Sequence, residues 1–107
     1  MGNALQSLET QYFFLTQNLP VLIAACTTQD QRDTVNTQYV TARRNYWGCI
    51  NAIFHDDDPT VTKLVTEMRS AQDELQNAVQ KLDNISKVIG VIATAVKVGT
   101  DLAKLVG

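Results

Sequence analysis

The sequence predicts an all-α protein, an antiparallel bundle of long helices, from three observations. Apolar residues recur at alternating spacings of three and four through most of the chain, which is typical of helices that pack against other helices. Glycine and proline are scarce, with 5 and 2 copies, whereas an all-β chain needs many turns. Apolar residues form 45% of the sequence, enough for a core. At this length we expect one domain, residues 1–107.

The first helix is predicted over residues 3–27. Pro20 removes one backbone hydrogen bond inside this segment, but the apolar stripe keeps its phase on both sides of the proline. We therefore expect a single helix kinked at Pro20 rather than two helices. The residues of the stripe are Leu5, Leu8, Tyr12, Leu15, Leu19, Leu22 and Cys26.

The second helix is predicted over residues 29–56. A polar run precedes it, and Thr28 followed by Gln31 has the spacing of a capping box. Its apolar face is wide enough for two neighbouring helices, and we interpret Trp47 as an anchor of the core. The face consists of Val35, Tyr39, Ala42, Tyr46, Cys49 and Ile53, flanked by Val40, Trp47, Ile50 and Phe54.

The third helix is predicted over residues 59–106, with Asp58 as its N-cap and Pro59 at its first position. Two rows with a period of seven, typical of a coiled coil, run to its end. An unbroken helix of about 48 residues would be roughly 70 Å long, so residues 85–107 would extend past the shorter second helix. The rows are Val61, Met68, Leu75, Leu82, Ile89, Val96 and Ala103, and Leu64, Ala71, Ala78, Ile85, Ile92, Gly99 and Val106.

An alternative fold has a turn near residues 83–85. The chain would then form a four-helix bundle of roughly equal helices. The continuous period of seven argues against this fold, because a turn normally resets the phase of a helical pattern.

Residues 85–107 carry the functional hypothesis. They are the most apolar part of the chain, and a helix that is apolar over most of its circumference is covered on several sides. We predict a non-enzymatic interaction module that forms a homo-oligomer, or docks a helical protein partner, through this segment. The predicted interaction residues are Ile85, Val88, Ile89, Ile92, Val96, Leu102 and Val106.

The second hypothesis is a membrane-active helical protein, either an interfacial binder or part of a pore former. Lys87, Lys97 and Lys104 form a narrow basic stripe, as in helices that lie on a membrane surface. The longest uncharged run, residues 88–96, is too short to span a bilayer. The partner under this hypothesis is a membrane surface rather than a protein.

The sequence gives no arrangement typical of catalysis or metal binding. His55 is the only histidine, and the four consecutive side chains of residues 55–58 cannot all point at one ion from a helix. Cys49 lies six residues before His55, which places the two on different sides of a helix. We therefore expect no enzyme activity, no cofactor and no metal. A net charge of −2 does not favour nucleic acid as a partner.

The N-terminal residues indicate no targeting signal. The first ten residues contain no basic side chain and no long apolar run, so we predict no signal peptide. No stretch is long enough for a transmembrane helix. By default we expect a cytoplasmic protein, in which Cys26 and Cys49 stay reduced as small buried side chains.

Overall fold

The computed structural model describes residues 3–105, and over that range it contains four α-helices that pack into one bundle. The predicted all-α helical bundle is therefore confirmed. Its principal extents are 42 × 22 × 18 Å. The helices are α1 (Asn3–Ala25), α2 (Gln29–Trp47), α3 (Pro59–Lys81) and α4 (Ile85–Ala103).

The helix α4 contacts all three of the others, and α1 contacts α2 and α3 as well. Within residues 3–105, the backbones of α2 and α3 do not approach each other closely, so the two helices occupy opposite corners of the bundle. Gln31 bonds to Ser86 near one end, and Asn45 bonds to Thr100 near the other, so α2 and α4 run parallel. Residues 48–58 cross the base of the bundle between α2 and α3, as in bundles with one long connection.

The apolar core has two parts that share α1, α2, α3 and α4. One part lies towards the α1–α2 and α3–α4 turns and includes Leu22, Leu75 and Ile92. The other lies at the base and includes Leu8, Val65 and Leu102. Because every helix contributes to both parts, the bundle has one continuous interior rather than two separate units.

The first helix runs through Pro20 without interruption, as predicted, and ends two residues earlier than expected. The capping box that begins α2 is also present. The backbone N–H of Gln31 donates to the Thr28 hydroxyl at 3.1 Å, and the Thr28 N–H donates to the Gln31 side-chain oxygen at 3.3 Å. These reciprocal bonds satisfy backbone donors that a helix N-terminus leaves free.

The predicted end of the second helix at residue 56 is wrong, because α2 stops at Trp47. A side chain at Gly48 would place its Cβ 2.8 Å from the Arg44 carbonyl oxygen, so glycine suits this end. The chain then has to reach the opposite corner, which a continued α2 could not do. Two side chains expected in the core are instead exposed: Trp47 is 56% exposed and Ile53 is 71% exposed.

The predicted start of the third helix is confirmed. The Asp58 carboxylate accepts a hydrogen bond from the Thr60 N–H at 2.8 Å, and Pro59 is the first helical residue. Asp58 therefore satisfies one free backbone donor and places negative charge at the positive end of the helix dipole.

The unbroken helix over residues 59–106 is wrong, and the alternative with a break near residues 83–85 is correct. Leu82 ends α3 in the left-handed region at φ 43°, and Asn84 caps α4 by accepting the Lys87 N–H at 3.2 Å. The two apolar rows with a period of seven continue through this turn because Leu82, Ile85 and Ile89 still pack against the same core. A tight turn that returns its flanking residues to the core leaves the phase unchanged.

Candidate functional site

The predicted interaction residues of α4 lie mainly inside the bundle. Four of them, Val88, Ile92, Val96 and Leu102, are at most 2% exposed. Ile85 and Ile89 are partly buried against the same core, and Val106 lies outside the described residues. The expectation that this segment extends uncovered past its neighbours is therefore wrong. A partner could reach these side chains only if the bundle opened.

The basic stripe of α4 faces solvent. Lys87, Lys97 and Lys104 are exposed, and Lys97 lies 3.7 Å from the Asp101 carboxylate. Such an exposed pair contributes little to stability. No helix within residues 3–105 has the length and hydropathy needed to cross a bilayer.

The acidic run before α3 supports helix ends. Asp56 accepts a hydrogen bond from the backbone N–H of Ala4 at 3.3 Å, at the start of α1, and Asp58 caps α3. His55 is exposed in the same connection. Within the described part of the chain, no group of three or more His, Cys, Asp or Glu side chains could hold a metal ion.

Both cysteines are free thiols inside the core. Cys26 is 7% exposed and Cys49 is 4% exposed. Burial raises the pKa of the Cys49 thiol, because a thiolate is poorly solvated there. The nucleophilic form is therefore disfavoured at neutral pH.

A polar layer lies where α1, α2 and α4 meet. Gln11, which is 2% exposed, donates its side-chain N–H to the Ala95 carbonyl at 2.8 Å. Asn45 donates to the Thr100 hydroxyl at 3.0 Å. Each of these amide donors is paired with its own acceptor on α4, so the layer holds three helices in register instead of presenting a binding site.

Among the grooves on the outside of the described bundle, two lie between helices. One, of about 220 Å³, lies between α1 and α3 and includes Ser7, Arg69 and Asp73. Next to them, both amide atoms of Gln72 are buried without a partner among the described residues. The other groove, of about 350 Å³, lies between α3 and α4 and is lined in part by Glu74 and Lys87. Both linings are mixtures of polar, charged and a few apolar side chains.

The outer face of α1 differs from the solvent face of every other helix. No exposed residue of this helix, residues 3–25, carries a charge, whereas α2 exposes four charged side chains, α3 six and α4 two. Phe13 is 47% exposed and Val21 is 50% exposed. We define the α1 outer face by its exposed residues, which are Asn3, Gln6, Thr10, Phe13, Thr16, Gln17, Pro20, Val21 and Ala24.

An aromatic cluster joins the α1 outer face to α2. Its rings are Tyr12, Phe13, Tyr39, Tyr46 and Trp47, with neighbouring centroids 5.5 to 5.9 Å apart. The pKa of Tyr12 is lowered by hydrogen bonds from the side chains of Trp47 and Tyr39. Phe13 and Trp47 project to solvent from this cluster. Exposed rings on a rigid base resemble the aromatic anchors of protein interfaces.

No protein-family model matches the chain, and comparisons with curated proteins and with solved structures find no match. The α1 outer face was not identified as a candidate site from the sequence. A signal was present, because residues 1–31 contain no lysine or arginine. That bias alone does not distinguish a buried helix from one with an uncharged solvent face.

Proposed function

We propose that the chain is a non-enzymatic helical interaction module that self-associates through the face formed by α1 and α2. The observation that carries this proposal is the uncharged α1 outer face with its exposed Phe13 and Val21. The apolar side chains in the described part of that segment, residues 85–105, pack mainly within the chain. The contact surface therefore belongs on α1 and α2 rather than on α4.

The composition of this face supports the proposal. Charged residues form 19% of the chain, yet α1 contains one of them, Glu9, which is partly buried and accepts a hydrogen bond from the Tyr46 hydroxyl. The centres of protein interfaces are depleted in charge and enriched in aromatic residues. Phe13 and Trp47, both about half exposed, have the size and rigidity of residues that dominate binding energy.

The size of the face also fits an interface. The bundle is 42 Å long and 18 to 22 Å across. One full side of the bundle is therefore comparable in size to the roughly 800 Å² that each partner contributes to a standard stable interface. Two copies could therefore associate without any change in fold.

Sedimentation equilibrium tests the proposal with a matched pair of substitutions. Gln17→Glu places a charge in the α1 outer face, and Gln76→Glu makes the same change on the exposed side of α3. We expect the wild type and Gln76→Glu to have masses above 11.8 kDa, and Gln17→Glu to be monomeric, because a buried unpaired charge is costly. A wild type that stays monomeric up to about 100 µM, well above the ~1 µM Kd of weak interfaces of this size, would overturn the proposal.

Membrane activity remains the second candidate, because Lys87 and Lys97 of α4 and Lys104 at its C-cap are all exposed. The apolar side of α4 faces the core, so membrane insertion requires the bundle to open. Under this hypothesis the protein binds anionic vesicles, and Lys97→Gln weakens binding by about 1 kcal/mol. Co-sedimentation with vesicles measures both effects, and a wild type that does not bind anionic vesicles would exclude this candidate.

A further inference from the structure

We infer that self-association produces an antiparallel, two-fold symmetric dimer, in which α1 packs against α1 of a second copy about Gln17. The same symmetry places α2 against the second copy's α2. The inference rests on the proposed function and adds the partner's orientation and the end point of assembly. A two-fold interface uses the same surface on both subunits, so it closes at two copies.

The row of exposed side chains on α1 is centred on Gln17. Phe13 lies one turn before it and Val21 one turn after it, and all three are exposed. In an antiparallel pair centred on Gln17, Phe13 of each copy lies opposite Val21 of the other. A large ring then meets a smaller branched side chain twice, which suits close packing. No charged residue lies between Phe13 and Val21 on α1.

The charges of α2 determine the orientation. Its exposed acids, Asp30 and Asp33, lie near its start, and its exposed bases, Arg43 and Arg44, lie near its end. An antiparallel pair places the acidic end of each α2 against the basic end of the other. In a parallel two-fold pair about α1, the two α2 helices would lie on opposite sides of the axis, and these charges would not meet. Charge complementarity of this kind sets orientation and suppresses wrong arrangements.

Two further charged residues reduce the difference in net charge between the two ends of this face without reversing it. Arg32, beside the acids, is half-buried and lies 3.5 Å from the carbonyl oxygen of Cys26. Glu9, at the other end, accepts the Tyr46 hydroxyl at 2.8 Å. Counted over the residues of α1 and α2 alone, the acidic end has a net charge of −1 and the basic end +1. The ends therefore still attract in the antiparallel arrangement.

A single two-fold axis can pass through the midpoints of the contacts of both α1 and α2. The Tyr12 ring lies 5.9 Å from that of Tyr39 and 5.8 Å from that of Tyr46, so Tyr12 is level with the stretch between them. Because α1 and α2 are antiparallel, Gln17, further along α1, is level with a residue near Thr37. Thr37 also lies near the midpoint between the acids and the bases of α2. One two-fold axis, passing near Gln17 and Thr37, therefore relates both pairs of helices.

Cysteine cross-linking tests the orientation, because a residue on a two-fold axis lies beside its own copy. Gln17→Cys is the test variant. Gln6→Cys, on the same exposed face, is the control, because its copies would lie about 33 Å apart in the antiparallel dimer and bridged cysteines need Cα atoms within about 7 Å. We expect mild oxidation to give a covalent dimer of Gln17→Cys and none of Gln6→Cys.

Three other results would each have a definite meaning. Covalent dimers of both variants would overturn the inference in favour of a parallel pair. Absence of cross-linking in both, with a wild type that is dimeric by sedimentation, would overturn the inference and leave self-association standing. A monomeric wild type would overturn the proposed function itself. The native Cys26 and Cys49 are buried, so they contribute little background.

A charge exchange tests the complementarity of α2. Arg43→Asp and Asp33→Arg should each weaken dimerisation by about threefold to tenfold, the range expected for two exposed ion pairs. The double variant should recover the wild-type Kd to within about threefold, because it exchanges one opposed pair of charges. A double variant that dimerises no better than the single variants would overturn the antiparallel charge pairing.

Discussion

Buried amide side chains connect three helices at one level of the bundle. Gln11 bonds to the backbone of α4, and Asn45 of α2 bonds to Thr100 of α4. A shift of one helix along another would leave these groups buried without partners, at a cost of about 1–3 kcal/mol each. The layer therefore favours one register of α1, α2 and α4, which apolar contacts alone specify less sharply.

Gly99 makes room for this layer, and Gly99→Ala tests its packing. An added Cβ would lie 2.8 Å from the Gln11 side-chain oxygen, while the amide nitrogen of the same side chain is held by Ala95. Gln11 cannot move away without losing that bond. We expect Gly99→Ala to lower the free energy of unfolding by about 1–3 kcal/mol, the usual range for overpacking, as measured by urea denaturation.

Gly90→Ala is the control for that experiment. Gly90 also lies inside α4, but nothing lies within 4 Å of an added Cβ. Alanine should therefore stabilise the protein by about 0.5–1 kcal/mol through its higher helix propensity. The two substitutions are chemically identical but should change the free energy of unfolding in opposite directions. A stabilising Gly99→Ala would contradict the close approach of Gln11 to this position.

The bond between Tyr46 and Glu9 leads to a prediction about alkaline pH. The Glu9 carboxylate accepts a hydrogen bond from the Tyr46 hydroxyl. This bond favours the neutral phenol, so the pKa of Tyr46 is raised. A raised folded-state pKa gives stability that is fully present below the unfolded pKa of about 10 and is lost as pH rises through the folded value. We expect Tyr46→Phe to be less stable than the wild type at pH 7.

Denaturation across pH 7 to 11 measures the difference between these two proteins. It should shrink as the pH passes about 10, the usual tyrosine pKa, because the wild type then loses the contribution that the variant already lacks. A difference that stays constant over this range would contradict the bond to Glu9.

Local residue chemistry was predictable from the sequence, whereas burial at the flanks of a helix face was not. Thr28 with Gln31, and Asp58 with Pro59, were correctly assigned as helix starts because a cap depends on neighbouring backbone groups. Trp47 was wrongly assigned to the core. It flanks a wide apolar face, and periodicity does not tell which flank a neighbouring helix covers.

At the scale of elements, the turn between α3 and α4 was the least visible feature. It contains neither glycine nor proline, and Leu82 adopts the left-handed conformation at φ 43°. That conformation costs a residue with a side chain about 1–2 kcal/mol. Leu82 is partly buried against the core, so its apolar contacts offset the strain. Sequence patterns show the contacts of such a residue but not its backbone conformation.

The direction in which Asn84→Ala changes the free energy of unfolding tests the break between α3 and α4. Asn84 caps α4 by accepting the Lys87 N–H, so Asn84→Ala should lower the free energy of unfolding by about 1 kcal/mol. Asn77→Ala is the control on the exposed side of α3, where alanine should be neutral or slightly stabilising. If α3 continued through residue 84, both substitutions would stabilise. A urea midpoint that rises in Asn84→Ala would therefore contradict the turn.

At the scale of the whole molecule, the strong apolar character of α4 was predictable from the sequence. Which helices pack over it was not. The sequence indicates that residues 85–107 are covered on several sides. Helices of the same chain and helices of another chain cover an apolar stripe with the same chemistry. The turn decides between them, because it brings α4 back against α1, α2 and α3. The α1 outer face is left exposed, and we propose that a partner contacts the bundle there.

The central place of α4 predicts where the molecule opens last. Ile92, Ala95 and Val96 are each 1% exposed, and α4 contacts every other helix. Its backbone N–H groups should therefore exchange with solvent only on global unfolding, and should be the most protected in native-state hydrogen exchange. Residues 48–58 form a connection without regular helix and should exchange much faster. Exchange of the central α4 amides as fast as this connection would contradict the bundle and would favour release of α4, which the membrane hypothesis requires.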